Sequence, residues 1–274
     1  MNQHKKILHG QINNFLAEDK LKAYFIDVGQ ADSILVINKN ETMLIDAGNN
    51  DDGNLVVNFL KEKGITKINY LIGTHPHEDH IGGLDEVIKN FDIDNIYMPK
   101  IQATTKTFED VLTSISNKKL KITSPEKGTT FKIGDAECET MTEPILDNEN
   151  LNLSSIVVRL TFGNNSFLFM GDAETKNEET REWPQTQVLK VGHHGSNTSS
   201  GDSFIKQVKP KYGIIMAEKG NSYGLPKEKI LRRLEYYNVK LYRTDENGTI
   251  EMIADGNNIE IKTERWFLII DKNH

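Results

Sequence analysis

Apolar and polar residues alternate along the chain in short blocks whose period switches between two and about 3.6 residues. Residues 22–28, 33–37 and 42–46 are apolar, β-branched runs separated by Gly29 and by Asn38–Asn40, which predicts three successive strands. Asn54–Lys63 places Leu55, Val56, Phe59 and Leu60 at helical spacing and stops at Gly64, a residue suited to the left-handed turn past a helix end. A buried strand is expected at Asn69–Thr74, helices at Leu84–Asn90 and Thr107–Ser116, and a strand at Ile96–Met98. Further on, strands are expected near 131–141, 155–162 and 166–170, a polar helix or loop at 173–182, and strands at Val188–Val191 and Tyr212–Ala217. Pro226 opens a helix over Lys227–Tyr237. Hairpin strands follow near 239–243, 248–254 and 258–262, with Asp255-Gly256-Asn257-Asn258 as a turn signal. Strand-rich halves with interspersed helices predict an α/β (α+β) architecture of two packed sheets covered outside by helices.

Composition narrows the class. With 274 residues, 37% hydrophobic and 27% charged, the chain is long enough for a large core and unlike collagen-like, low-complexity or disordered sequences. Its longest apolar runs, such as Trp266–Ile270, fall far short of the roughly 20 residues that cross a bilayer, so no transmembrane segment is expected. Lys5 and Lys6 precede polar Gly10–Asn14 rather than an apolar stretch, so no export signal is expected; a signal already removed would leave the same picture, and localisation stays open. The lone Cys138 excludes an internal disulfide and is expected to be a small buried residue. Trp183 and Trp266 are expected to be packing anchors, and His4, His9 and His274 carry no expected role. A net charge of −7 argues against coating nucleic acid by bulk electrostatics. Between Lys206 and Arg243, however, ten lysines and arginines face three glutamates, either a solvated helix face or a local basic groove.

The chemistry concentrates in His75-Pro76-His77-Glu78-Asp79-His80, directly after a predicted strand. In extended backbone His75 and His77 share a side, while Asp79 and His80 at the turn face a second point, so one loop can serve two metals. Imidazole and carboxylate suit zinc and, less selectively, manganese or iron. Three other apolar runs end in similar groups: Thr42–Ile45 in Asp46, Phe167–Met170 in Gly171-Asp172, and Val188–Val191 in Gly192-His193-His194-Gly195-Ser196. A carboxylate at a strand end is ordinarily a turn former. Agreement among several such ends instead suggests one edge on which ligands converge.

Together, His75-x-His77-x-Asp79-His80-x-Gly82-Gly83, Asp46, Gly171-Asp172 and the Gly192–Ser196 run resemble the metallo-β-lactamase superfamily over about residues 22–254. Phe25–Ser33, Ser155–Leu160 and Arg243–Thr249 resemble more narrowly the hydrolase domain of the DNA-uptake competence protein ComEC and its free-standing relatives, with teichoic-acid phosphorylcholine esterases as a related branch. The resemblance implies an αββα four-layer sandwich: one domain over 1–274 made of two similar halves, about 20–140 and 141–265. It implies two divalent metals, Zn or Mn. His75 and His77 would hold one, Asp79, His80 and a later histidine the other, and Asp172 would bridge them. Asp46 would support the histidine loop by hydrogen bonds. It places the later ligand at His194, with His193 facing substrate or donating a proton, although the pair itself leaves both choices open. Ser196 and Tyr223 are possible substrate contacts, Tyr223 being otherwise a packed loop residue.

Two departures stand out. No histidine lies between 81 and 192, so the first metal lacks the third imidazole that many superfamily members supply. Water, substrate or a polar residue near Asn152–Ser154 would have to complete that site, which is expected to be weak; the polar Glu143–Asn150 loop could border it. The second departure is Leu225, where similar sequences usually carry histidine. The implied reaction is hydrolysis by a metal-bound hydroxide, with Asp79 orienting the nucleophile, His193 as proton donor and Asp172 essential. A phosphodiester, DNA in particular, is the favoured substrate. A small phosphoester or phosphorylcholine ester is the alternative, and a metal-binding module without catalysis is the reading from a different class. Nothing in the chain specifies an oligomeric state.

Overall fold

The computed structural model describes residues 19–265. Trp266, His4, His9, His274 and the segment considered for an export signal lie outside the described residues. In chain order the strands are β1 (Leu21–Phe25), β2 (Ile34–Asn38), β3 (Glu41–Ile45), β4 (Lys67–Ile72), β5 (Asp92–Tyr97), β6 (Ile122–Thr123), β7 (Thr130–Ile133), β8 (Ala136–Thr140), β9 (Val158–Phe162), β10 (Asn165–Phe169), β11 (Val188–Lys190), β12 (Tyr212–Ile215), β13 (Lys240–Arg243), β14 (Ile250–Ala254) and β15 (Ile259–Thr263). The helices are α1 (Gly53–Glu62), α2 (Glu78–Ile81), α3 (Leu84–Asn90), α4 (Lys106–Asn117), α5 (Thr175–Glu178), α6 (Asp202–Val208), α7 (Glu228–Tyr236) and α8 (Thr244–Asn247).

The strands make two mixed sheets, ordered β15-β14-β1-β2-β3-β4-β5-β6 and β13-β12-β11-β10-β9-β8-β7. Period-two burial explains why they stack. Phe167 and Phe169 of β10 face the core shared with the first sheet, whereas Leu168 and Met170 face the outer layer. Phe25 of β1 meets Phe169 across the interface at 6.2 Å between ring centroids, and Tyr70 meets Phe131 at 4.3 Å. Val56, Leu60, Leu84, Val87 and Val111 bring α1, α3 and α4 onto the first sheet. Phe204, Ile205, Ile230 and Leu234 bring α6 and α7 onto the second, which completes an αββα sandwich. Trp183 packs edge-on against Phe204 at 5.0 Å and Cys138 is buried in β8, both as expected.

Strands β3 to β6 are mutually parallel, as are β10 to β13. Each set therefore presents its carboxyl ends together, the usual place for ligands in such sheets. Asp46 follows β3, the histidine loop follows β4, Asp172 follows β10, and His193-His194 follow β11.

The structure differs from the sequence pattern in four places. The single strand expected at 131–141 is a hairpin, β7 to β8, turned at Gly134-Asp135. Helix α6 was masked by its polar Ser199-Ser200-Gly201 entry. The expected 239–254 hairpin is absent because α8 and Gly248 (φ 67°) turn the chain out of one sheet and into the other. Thus β13 ends the second sheet while β14 pairs with β1 of the first. The two sheets consequently do not coincide with the segments 20–140 and 141–265: β7 and β8 belong to the second sheet, β14 and β15 to the first.

Gly82 and Gly83 let the histidine loop dock. A Cβ on Gly83 would collide with the Ala47 carbonyl oxygen and lie 2.8 Å from the Gly53 Cα, both backbone atoms that cannot move aside. Gly83→Ala is therefore expected to lower stability by about 2–3 kcal/mol through overpacking. A urea unfolding midpoint equal to that of the wild type would refute this account.

Candidate metal centre

The sharp turn after β3 places Asp46 in a left-handed conformation (φ 58°) with its carboxylate fully buried. It accepts hydrogen bonds from the Thr74 amide (2.8 Å), the Thr74 hydroxyl (2.7 Å) and His80 Nδ1 (2.8 Å). With those three partners Asp46 is a support rather than an open donor. Because His80 Nδ1 is held by Asp46, its Nε2 is turned the other way, toward Asp172 and Asp79. His194 is held in the same way, Nδ1 donating to the Met216 carbonyl at 2.9 Å.

The two oriented nitrogens meet two carboxylates. His80 Nε2 lies 3.3 Å from Asp172 Oδ1 and 3.7 Å from Asp79 Oδ2. His194 Nε2 lies 3.3 Å from Asp79 Oδ2 and 3.6 Å from Asp172 Oδ1. All four residues present ligand atoms within 4.8 Å of one another. His80 Nε2, His194 Nε2 and Asp172 Oδ1 are buried and lack any hydrogen-bond partner, which is costly for atoms aimed at empty space and suits atoms aimed at a cation. The donor set thus fits a divalent metal. Burial opposes protonation of His80 and His194, yet Asp172 and its neighbouring carboxylates outweigh it and raise both imidazoles, so the cluster draws positive charge that a bound cation would supply in place of those protons. Burial likewise opposes ionisation of Asp172, but His80 and His194 hold its carboxyl well below the ordinary value.

A second donor pair adjoins this cluster. His75 Nε2 and His77 Nδ1 approach to 2.9 Å, and the rings of His75 and His80 lie 4.1 Å apart. Burial pushes His75 well below its usual pKa and lowers His77, which keeps both neutral and able to donate lone pairs. His193 stands on the open side, 24% exposed, its Nε2 3.6 Å from Asp172 Oδ2 and its Nδ1 2.9 Å from the Thr198 hydroxyl. Both His193 (φ 48°) and His194 (φ 49°) are left-handed. That conformation costs about 1–2 kcal/mol per non-glycine residue, strain of the kind that persists where a site demands it.

The Metallo-beta-lactamase superfamily model matches residues 26–217. The chain belongs to that superfamily of metal-dependent hydrolases. Over 248 residues it is 32% identical to ComE operon protein 3 of Bacillus subtilis, covering 82% of this chain and 32% of that protein. It is 29% identical to Competence protein ComA of Neisseria gonorrhoeae over 82% of this chain and 31% of that one. The chain spans about a third of the length of these relatives. Among solved structures, the metallo-beta-lactamase fold protein YhfI of Bacillus subtilis superposes with a TM-score of 0.53 at 15% identity, covering 85% of this chain and 99% of YhfI.

Within this superfamily fold, His75, His77, Asp79, His80, Asp172, His193, His194 and the supporting Asp46 are all brought to one edge. Ser196 is set back: its hydroxyl accepts from Thr198, which in turn meets His193. Tyr223 is 69% exposed rather than packed, and lines an open cavity of about 570 Å³ that reaches Asp79. Within the basic stretch, Lys227 lies beside this cavity, its Nζ donating to the Tyr223 carbonyl, while others lie elsewhere or are engaged. Lys209 and Lys211 precede β12, at the edge opposite the histidines, and Arg232, Arg233 and Arg243 are occupied by Glu228, the Ser200 carbonyl and Asp245.

Two residues escaped the sequence reading. Lys190 and Asp32 form a buried ion pair behind the site, with Lys190 Nζ also donating to the Gly171 carbonyl and lying 4.0 Å from Asp172 Oδ1. The signal was a lysine inside the apolar Val188–Val191 strand, sharing a face with the core residue Val188. Removing one partner of such a pair leaves an uncompensated buried charge, so Asp32→Asn and Lys190→Met are each expected to cost about 3–5 kcal/mol. Urea unfolding should show the double variant recovering much of that loss; additive losses would exclude the pairing.

Proposed function

We propose that the chain is a phosphodiesterase whose centre holds two divalent cations, Zn or Mn, with DNA as the first substrate to test. The observation that carries this reading is the convergence of buried, unpartnered His80 Nε2, His194 Nε2 and Asp172 Oδ1 beside partly exposed Asp79. Asp79, His80, His194 and Asp172 would hold one cation, and His75, His77 and the other side of Asp172 the second. When bound, such a pair supplies a nucleophile at neutral pH and Lewis acidity toward a phosphoryl oxygen. The protein's own groups provide the geometry. Asp79 reaches both the cluster and the open cavity, which suits it to orient the attacking group. His193, exposed at the open side of Asp172, can deliver a proton to the departing oxygen. Kinship with proteins named for competence supports DNA as substrate.

One feature favours a second reading. The cavity beside Asp79 is lined by Asp27, Asp52, Glu78 and Glu218 as well, with Tyr223 at its wall and no lysine or arginine among its lining residues. An acidic cavity repels a polyanion and attracts a cationic group, such as the quaternary ammonium of a phosphorylcholine ester. Tyr223→Ala is then expected to raise KM for such an ester about fivefold, equivalent to about 1 kcal/mol of cation–π attraction, with DNA cleavage unaltered.

The deciding assay is cleavage of end-labelled single- and double-stranded DNA by metal-stripped protein resupplied with Mn²⁺ or Zn²⁺, alongside release of choline from a phosphorylcholine ester. Metal-dependent cleavage that vanishes in Asp172→Asn is the expected result. Cleavage kept at the wild-type rate in that variant would overturn the role of Asp172. Choline release without DNA cleavage would select the second reading, and metal binding with neither activity would select a non-catalytic module.

A further inference from the structure

The pair formed by His75 and His77 has no third imidazole, since the chain carries no histidine between His80 and His193. We propose that the side-chain amide oxygen of Asn152 is the third protein donor of this first metal position. The inference rests on the two-cation reading above and deepens it.

Asn152 sits in the short 3-10 turn Leu151–Ser154 that precedes β9. It is only 7% exposed, and its Oδ1 is buried without a hydrogen-bond partner, as are the unpartnered atoms of His80, His194 and Asp172. An amide oxygen removed from water and left unmatched is unfavourable, and a cation beside it would answer it. Its orientation is fixed by chemistry. The Asn152 Nδ2 donates to Glu174 Oε1 at 3.3 Å and lies 3.4 Å from both ring nitrogens of His193. Rotating the amide would set oxygen against the Glu174 carboxylate. The Asn152 side chain also approaches the His77 ring.

The turn is stitched to both sides of the centre. Ser155 N donates to the Asn152 carbonyl at 3.0 Å, Ile156 N to the Thr74 carbonyl at 2.9 Å, and Asn177 Nδ2 to the Leu153 carbonyl at 2.8 Å. The Ser155 hydroxyl stands between His75 Nδ1 (3.4 Å) and the Asp172 amide (3.2 Å). Asn152 is therefore held in register with His75, His77 and Asp172 by backbone and buried side-chain bonds rather than by a flexible loop.

A neutral amide oxygen is a harder and weaker donor than the imidazole it replaces. The first position should bind less tightly than the one built on Asp79, His80, Asp172 and His194, and should accept Mn²⁺ more readily than an all-imidazole position would.

The test is Mn²⁺ binding by equilibrium dialysis and elemental analysis, with electron paramagnetic resonance to detect coupling between two bound ions. Wild type, Asn152→Ala, Asn152→Asp and His75→Ala are compared, each checked for a folded circular dichroism spectrum. Wild type is expected to bind two equivalents, one more weakly. Asn152→Ala should weaken that equivalent at least tenfold and lose the coupling, while leaving the tighter one unchanged. Asn152→Asp decides between ligand and brace. A carboxylate ligand strengthens the weak equivalent, whereas a residue serving only to hydrogen-bond Glu174 would do worse as Asp than as Ala. Two unaltered equivalents in Asn152→Ala, or weaker binding in Asn152→Asp than in Asn152→Ala, overturns the assignment while leaving the two-cation reading intact. A single equivalent in wild type, unaffected by His75→Ala, overturns both.

Discussion

Negative charge in a confined volume is the constraint on which the rest of this structure depends. Asp32, Asp46, Asp79 and Asp172 crowd one edge of the sandwich, three of them almost wholly buried. Isolated ions in such surroundings would cost several kcal/mol each, so every one is answered. Asp46 takes three hydrogen bonds, Asp32 takes the buried Lys190, and Asp79 and Asp172 take the imidazoles. One lysine cannot balance four carboxylates. The imbalance draws protons onto His80 and His194, and the same deficit of positive charge suits the edge to divalent cations.

This balance separates the roles of chemically similar residues. Asp46 and Asp172 both follow the ends of apolar strands, yet one is saturated by donors from the histidine loop after β4 and the other retains an unpartnered oxygen. His193 and His194 are neighbours in the chain and both left-handed, yet one is fixed by a buried carbonyl while the other stands partly exposed beside a threonine. The number of bonds already made, more than residue type, distinguishes a support from a donor.

Much of the fold was legible in the sequence because most strands are short apolar runs bounded by turn residues and the longer helices carry apolar residues at helical spacing, with Gly64 marking the end of α1. The histidine loop was legible because three imidazoles in six residues have few other uses. The exchange of strands between sheets was not, since Lys240–Arg243 and Ile250–Ala254 read locally as one hairpin and only the intervening turn separates them. Lys190 was overlooked because its partner, Asp32, lies more than 150 residues away in sequence. Asn152 could be placed only as part of a polar stretch: asparagines are common in loops, and burial of one oxygen without a partner is a property of three dimensions.

The return of β14 to pair with β1 joins Leu21 to Ala254 and Phe25 to Ile250. The first sheet therefore cannot close until nearly the whole described chain is available, even though β2, β3 and β4 are made early. Contacts of this span slow folding, because the entropy of closing the loop must be met before the pairing stabilises anything. During synthesis, β1 waits as an open edge while the second sheet is still being translated. The centre consequently matures late: its first histidines emerge long before the layer that carries them is complete.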